Sequence, residues 1–592
     1  MASVGHAKAA GFVSQLAPFS NRGAGQSHLA SSSLLFPLLI RERSCGCPLQ
    51  ISLTSRKPSF SIFQQVSYNF DARDRNHRRP APAPSPGFNR SKQRTQVSRG
   101  RRRVTAAAGS SDTSPPSTQS SDSPSHPQPF GDSSAAAIPR SVPWPDPSRP
   151  RICIVGGGFG GLYTALRLDS LTWPGDKRPQ IMLVDQSERF VFKPMLYELL
   201  NREADPWEIA PPFRELLSRT NVRFLKGKVK SVAPYDREGE VMPAVGPGGV
   251  VRLVSGEEIA YDWLVLALGA EMKMSFVPGA KENALPFSTL EDAQRVDKQL
   301  SRLEADLRKQ RSQRQAPQPL RISIIGGGYT GVELASTVAE RFGSQARVQI
   351  IEPSETIVAS GVQGNREAAK KVLQDRNVEL ALGYRVTTIR EAPGRTAEST
   401  RAYLEVEHVA SGVGKPTEME ADLVLWTVGT KAVAPEGDAS HQPFPLNSRG
   451  QTETDETLRV KGHPRVFALG DAAGVASKQG VTLAPTAQVA FQAADYVGWN
   501  IWAAINGRPL LPFRYQHLGE MMTLGAKDGT VTLNLPGGLT LEGPLGSIAR
   551  KIAYAYRMPT TEHKIRVGLS WATRAAFETA SSILPSLATM FR

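Results

Sequence analysis

Cysteine is scarce in this chain, with three among 592 residues. Cys45 and Cys47 lie in an N-terminal extension, which leaves Cys153 alone in the remainder. One thiol outside the extension forms no internal disulfide there, so catalysis by a cysteine pair is excluded. Cys153 sits inside the apolar run Ile152–Val155, where a buried, inert thiol is the expectation. Acid is nearly missing from residues 1–110, where Glu42, Asp71 and Asp74 face 17 Lys and Arg. The whole chain carries +16, yet beyond residue 110 bases and acids balance to within two. The positive charge belongs to the extension, and a net-neutral body has no phosphate-tracking field, so nucleic acid is not an expected partner. No run of about 18 apolar residues exists, so no membrane-spanning helix is expected. An Asp-x-Asp-x-Asp-Gly calcium loop is also missing, and no metal site is expected.

Residues 1–108 are rich in Ser, Arg and Pro and end near Arg101-Arg-Arg-Val-Thr-Ala-Ala107. This composition is that of an organellar transit peptide, with a disordered regulatory tail as the alternative. Residues 109–149, dense in Ser, Pro and Asp, read as a linker.

The remainder contains one pattern twice. Arg151–Val155 is a short β-branched run that leads into Gly156-Gly-Gly-Phe-Gly-Gly161, a helical segment at Leu162–Leu168, and a strand at Gln180–Val184 ending on Asp185. Arg321–Ile325 then leads into Gly326-Gly-Gly-Tyr-Thr-Gly331, a helix Val332–Phe342, and a strand Arg347–Ile351 ending on Glu352. Strands are predicted at Arg252–Ala260, Trp263–Ala267, Ala402–Val409 and Asp422–Trp426, and at Arg465 onward to Asp471. Helices are predicted at Thr289–Gln310 and Pro485–Trp499. The expected fold is α/β with two Rossmann-like dinucleotide-binding domains. An FAD domain (150–317 and 436–540) carries an inserted NAD(P)H domain (318–435), and an amphipathic helical tail (541–592) follows.

In Gly-x-Gly-x-x-Gly the first glycine permits the turn, the second admits a pyrophosphate, and the third lets helix and strand pack closely. The helix N-terminus then presents free N–H groups to the phosphates. Those positions are Gly156, Gly158 and Gly161, and again Gly326, Gly328 and Gly331. Asp185 and Glu352 stand where a ribose-binding acid belongs. A glycine cluster alone also serves as a plain turn; two complete strand–turn–helix–strand–acid units carry more weight. A carboxylate at Glu352 would repel a 2′-phosphate, which favours NADH over NADPH. Gly470-Asp471 reads either as a strand-end turn or as the carboxylate that holds the ribityl chain of FAD. The second reading puts FAD in the first domain.

These residues resemble the type II (alternative) NAD(P)H–quinone oxidoreductases, and within them the plant C-type members of chloroplasts and mitochondria. The likeness rests on Gly156–Gly161, Phe190-Val-Phe-Lys-Pro-Met-Leu-Tyr-Glu198, Gly326-Gly-Gly-Tyr-Thr-Gly-Val-Glu333, Leu469-Gly-Asp471, Ala484-Pro-Thr-Ala-Gln-Val-Ala-Phe-Gln492 and the tail from Gly543. It implies non-covalent FAD, a homodimer, and attachment to a thylakoid, plastoglobule or mitochondrial membrane face. Gly156, Gly158, Gly161, Asp185 and Asp471 would then hold FAD, and Gly326, Gly328, Gly331 and Glu352 NADH, with Lys193, Gly269, Gly429, Gly470 and Ala487 as further cofactor-binding candidates. Gln488 and Gln492 match the segment beside the flavin where the quinone ring is expected, and Glu333 matches an acid near the nicotinamide. The fungal members carry histidine where this chain has Phe491, so proton delivery there does not transfer.

Taken singly, several of these residues have plainer readings. Glu333 suits a surface acid in the first turn of a helix, complementing its dipole. Gln488 and Gln492 suit two solvated glutamines, and Lys193-Pro194 suits a turn. In the tail, Leu545, Ile548, Ile552 and Tyr556 recur at helical spacing, as do Ile565, Leu569, Ala572 and Ala576. With Arg550, Lys551, Arg557, Lys564, Arg566 and Arg574 beside them, they suit an anionic membrane surface, a dimer contact or a core-packing helix. Other functions left open are a soluble FAD/NADH reductase of a non-quinone acceptor and a non-catalytic dinucleotide sensor.

Overall fold

The computed structural model describes residues 140–239, 243–313, 318–393, 400–411, 416–437, 442–535 and 538–590. The expected transit peptide, Cys45, Cys47 and linker residues 109–139 lie outside them. Residues 140–149, read from composition as linker, are tied to the body. Arg140–Ser141 pairs in parallel with Glu257–Glu258, and the Trp144 indole donates to the Ala260 carbonyl at 2.6 Å.

Parallel strands covered on both faces need continuous apolar sequence. Arg151–Val155, Gln180–Asp185 and Trp263–Leu266 have it, and they form the middle of a six-stranded sheet. Its order is Arg459–Val460, His463–Ala468, Trp263–Leu266, Arg151–Val155, Gln180–Asp185 and Val222–Lys226, parallel except at the first pair. Helices Phe159–Ser170 and Ala487–Ile505 cross closely: a Cβ on Gly498 would sit 2.6 Å from Arg167 Cγ.

A second, five-stranded parallel sheet runs Leu285–Pro286, Leu423–Trp426, Leu320–Ile325, Ala346–Glu352 and Glu379–Leu382. Ala270–Met272 and Thr430–Ala432 pair antiparallel where the chain leaves the first domain and returns. The insertion therefore begins near residue 273 and not at 318. Leu285–Pro286 already belongs to the second sheet, and Val277, Ala280 and Ala284 sit in a core cluster with Ile325 and Trp426. The single strand expected over Arg252–Ala260 is two, Gly249–Leu253 and Glu257–Tyr261, reversed at Gly256 with φ +87°.

Strands Gly519–Thr523, Gly529–Leu533 and Leu539–Glu542 form a C-terminal antiparallel sheet, followed by helices Gly543–Arg557 and Thr561–Met590. In the first of these helices Ser547, Arg550 and Tyr554 face inward, with Met558 just beyond its end. Leu545, Ile548, Ile552 and Tyr556 face out, each more than half exposed, as do Ile565 and Leu569 in the second. Among the described residues no helix is long and apolar enough to cross a membrane, and no cluster of metal-ligating side chains occurs.

Candidate active site

Both glycine turns have the same local build. The Gly156 N–H donates to Val184 O at 2.8 Å and the Gly326 N–H to Ile351 O at 2.9 Å. Their φ values of +99° and +108° belong to glycine. A Cβ on Gly161 or Gly331 would lie 1.8 Å from the carbonyl oxygen of Gly156 or Gly326. A Cβ on Gly158 or Gly328 would meet no atom within 4 Å, so an open cradle faces the N-terminus of each following helix. The Asp185 carboxylate accepts from Gly157 N–H at 2.5 Å and Ser187 N–H at 2.7 Å. Glu352 does the same with Gly327 N–H at 2.6 Å and Ser354 N–H at 3.0 Å. Burial raises the Asp185 pKa against those two hydrogen bonds.

The other glycines named from sequence sit at strand ends. Gly269, Gly429 and Gly470 have φ of +73°, +75° and +70° and follow Trp263–Leu266, Leu423–Trp426 and His463–Ala468. Gly470 lies under the first turn of Ala487–Ile505, where its Cβ would be 3.7 Å from that of Ala490. Ala487 is the first residue of that helix, and Thr486 caps it by accepting from Val489 N–H at 3.2 Å. Burial raises the Asp471 pKa while the nearby Lys193 ammonium opposes the rise, so the fold brings these two residues together.

Glu333 is the fifth residue of Tyr329–Phe342, past the first turn, and it is buried. Its carboxylate accepts from Thr523 N–H at 2.9 Å and from the Tyr197 hydroxyl. Burial pushes its pKa up to about 7 against those bonds. A surface acid would show none of this. The two glutamines are not free either. Gln488 donates to Gly519 O at 3.1 Å and accepts from the Tyr515 hydroxyl at 2.7 Å and Leu518 N–H at 3.0 Å. Gln492 exchanges hydrogen bonds with the Gln516 backbone at 2.8 and 3.0 Å. Together they pin segment 515–519.

Strand Gly519–Thr523 thus touches three of these elements: Gln488 at Gly519, the Tyr329 hydroxyl at Glu520, and Glu333 at Thr523. Sequence reading missed this strand, because each partner lies more than 25 residues away and no motif marks it. It also missed Tyr197 and Glu198, although both close the segment Phe190–Glu198 that carried the family likeness.

Arg550, Lys551 and Arg574 of the tail turn toward the body, as the core-packing reading has it, while Arg566 stays more than half exposed. Arg550 is fully buried against Glu198 at 2.7 Å, and Lys551 meets Glu203 at 2.9 Å. Arg574 reaches Asp205 at 3.1 Å and Glu208 at 3.4 Å, and Arg566 reaches Glu215 at 3.5 Å. An acidic stretch of the first domain holds the basic side of the tail, and the apolar side is left outside. Removing one partner of a buried pair such as Arg550–Glu198 costs about 3–5 kcal/mol.

Residues 150–493 match the family described as pyridine nucleotide-disulphide oxidoreductase. The chain is 54% identical over 451 residues to the alternative NAD(P)H-ubiquinone oxidoreductase C1, chloroplastic/mitochondrial, of Arabidopsis thaliana, covering 76% of this chain and 85% of that one. It is 43% identical over 428 residues to the demethylphylloquinone reductase NdbB of Synechocystis, covering 72% and 96%. Among solved structures, NDH2 of Plasmodium falciparum in complex with NADH aligns with TM-score 0.56 at 16% identity, over 72% of this chain and 97% of that one. The sulfide:quinone oxidoreductase of Aquifex aeolicus aligns with TM-score 0.54 at 19% identity, over 69% and 90%. At such identities these two show the fold alone.

Proposed function

The chain belongs to the pyridine nucleotide-disulphide oxidoreductases and, within them, to the alternative (type II) NAD(P)H–quinone oxidoreductases, and we propose that it passes electrons from NADH through FAD to a membrane quinone. One observation carries this reading: the chain builds the same glycine turn twice, each with an acid at the end of the next strand, and strand Gly519–Thr523 ties the helix after the second turn, at Glu333, to Gln488. The family's disulphide chemistry has no means here. Cys153 is the one cysteine among the described residues, and burial pushes its thiol up to about 12, which keeps it unreactive.

The open space at Gly158 and Gly269 and the helix start at Ala487 fit FAD, which when bound accepts hydride and releases electrons to the acceptor. Gly156, Gly161 and Asp185 shape its cradle; Gly470, Asp471 and Lys193 hold its far side. Gly326, Gly328, Gly331, Glu352 and Gly429 bind the nicotinamide nucleotide. Glu352 excludes a 2′-phosphate, so NADH is preferred to NADPH. Glu333 holds a proton near pH 7 where the nucleotides and the quinone approach. Gln488 and Gln492 act by fixing Tyr515–Gly519 as the wall against which the quinone ring docks.

The outward apolar row Leu545, Ile548, Ile552, Tyr556, Ile565 and Leu569 is the membrane contact. Its attraction is chiefly hydrophobic, because Arg550, Lys551 and Arg574 behind it are engaged by protein acids and Arg557 and Lys564 lie over the Phe491 and Tyr556 rings. The surface is that of a thylakoid, plastoglobule or mitochondrial membrane, and imaging a fusion of residues 1–110 separates the plastid from the mitochondrion. A homodimer belongs to the same reading. Protein that elutes as a dimer and still floats with vesicles has this row free, whereas a dimer that does not float has used it for pairing.

The deciding assay is NADH oxidation by the FAD-loaded protein with a short-chain quinone, with ferricyanide and monodehydroascorbate as comparisons. Quinone-dependent turnover is expected; turnover with monodehydroascorbate alone would favour the soluble reductase, and none at all the sensor.

A further inference from the structure

A cavity of about 440 Å³ lies where the start of helix Gln363–Asp375 meets the C-terminal sheet, and Gln363, Glu367, His517, Gly519, Leu535 and Thr540 are among its lining. Gln363, Glu367, His517 and Leu535 are exposed, so solvent reaches it. The His517 ring stands between this cavity and the candidate site. Its Nε2 faces Glu520 at 4.0 Å, and its Nδ1 lies 3.3 Å from the Tyr515 hydroxyl oxygen. That hydroxyl donates to Gln488 Oε1 at 2.7 Å, so the contact at 3.3 Å is Nδ1–H donating to the Tyr515 oxygen. Leu518 N–H donates to the same Gln488 oxygen at 3.0 Å, and the Asn534 amide donates to the His517 carbonyl at 2.9 Å. A bonded path thus runs from solvent through imidazole and phenol to Gln488.

We propose that Tyr515 is a proton donor to the quinone and that His517, a positioning residue acting through it, reloads it from the cavity. This rests on the reading of Tyr515–Gly519 as the wall against which the quinone ring docks. A quinone becomes a quinol by gaining two electrons and two protons, one proton on each oxygen. Glu333 is read as holding a proton on the nicotinamide side, and an oxygen turned to the wall needs a second donor. Phe491, between Gln488 and Gln492 on their helix, has no exchangeable proton and lies under the Arg557 guanidinium at 4.1 Å.

Tyr515 gives its hydroxyl proton to the quinone oxygen and takes the Nδ1 proton of His517 in its place. The imidazole regains one at Nε2 from water in the cavity, and exchange with water then restores the Nδ1–H form. The net change on this path is one proton drawn from the medium. Histidine suits the solvent end because its ring both takes and gives protons near neutral pH. Burial, and after it the Glu520 charge, raise the Tyr515 pKa, so the phenol does not stay deprotonated. The titratable groups around the His517 ring are Tyr515, Glu520 and, on the helix side of the cavity, Glu367; no Lys or Arg lines it. Two acids leave the cavity open to hydronium and buffer cations.

The test uses the full-length FAD-loaded enzyme with a short-chain quinone, and with ferricyanide, which takes up no proton, as the second acceptor. Y515F and H517A are each expected to lower quinone kcat about 100-fold at pH 8, and less at pH 6, where the medium supplies protons directly. Ferricyanide turnover stays near the parent's. Added imidazole, small enough for the cavity, should restore most of the quinone turnover of H517A and none of that of Y515F. Imidazole that rescues neither variant, or both alike, overturns the proposal, as does a quinone loss matched by ferricyanide. Q488A tests the docking reading separately through the quinone KM. With that KM raised and H517A not rescued, the wall stands and the relay falls. With it unchanged and H517A rescued, the relay stands and the quinone docks on Tyr515 without Gln488.

Discussion

Gly156–Gly161 and Gly326–Gly331 are close to one object built twice. Even the strand openings agree: Arg151 N–H donates to Asp262 at 2.7 Å and Arg321 N–H to Asp422 at 2.8 Å. The difference lies around the turns. A Cβ on Gly157 would strike the Phe213 ring at 2.3 Å, whereas one on Gly327 would meet the Glu352 side chain at 2.9 Å. Phe159 after the first turn packs edge-on to Phe190 and Phe192, at 5.3 and 5.2 Å between ring centroids. Tyr329 after the second turn sends its hydroxyl to Glu520, and Glu333 lies one helical turn further on. On the proposed reading the turn holds a pyrophosphate, and what surrounds it fixes which nucleotide.

The sharpest way to separate the two is to block each in turn. In G161V and G331V the new Cβ falls onto a carbonyl oxygen, an overpacking of about 3 kcal/mol that must displace the turn. G161V is expected to purify without flavin. G331V keeps its flavin and loses bleaching by NADH. Flavin content and NADH titration read both, and flavin loss in G331V alone would reverse the assignment.

Glu333 has no acidic counterpart in the first unit, where Tyr163 holds that position and donates its hydroxyl to the Arg557 carbonyl. Its raised pKa means that stability is whole below the ordinary carboxylate range and is lost as pH rises through about 7. E333Q escapes that loss. Its thermal stability relative to the parent should improve from pH 5 to pH 8, by up to about 3 kcal/mol. The fall of quinone turnover above pH 7 should flatten as well; an unchanged pH profile would return Glu333 to a packing role.

A smaller effect is expected at the ribose acid. E352Q removes the charge opposed to a 2′-phosphate while keeping an acceptor for Gly327 N–H, so the NADH/NADPH ratio of kcat/KM should narrow by about tenfold. D185N should leave that ratio untouched. The smallest is at Cys153, where C153A should keep kcat and cost about 1 kcal/mol, and where the thiol of the folded parent should resist alkylation.

Much of the two cradles was legible because glycine at positive φ and an acid at a strand end are local demands that a sequence must meet in order. The boundary of the insertion was not, since Leu285–Pro286 pairs with a strand 140 residues later and carries no pattern of its own. The tail was legible as two faces but not as to which face turns inward. Helical spacing puts Arg550 opposite Ile548 and Ile552 whether the protein or the solvent takes the charge. What decided it was the acidic stretch from Glu198 to Glu215, distant in sequence and unremarkable on its own. Gln488 and Gln492 were found by likeness, yet their partners at 515–519 depend on a loop whose course no local rule dictates.

Anaerobic stopped-flow absorbance on the FAD-loaded enzyme tests the central claim most directly. NADH should bleach the flavin in one phase, and a second mix with quinone should restore it with a rate that falls above pH 7. A flavin that NADH leaves oxidised, or that quinone leaves reduced, would contradict the transfer of electrons from one cradle through the other to the acceptor.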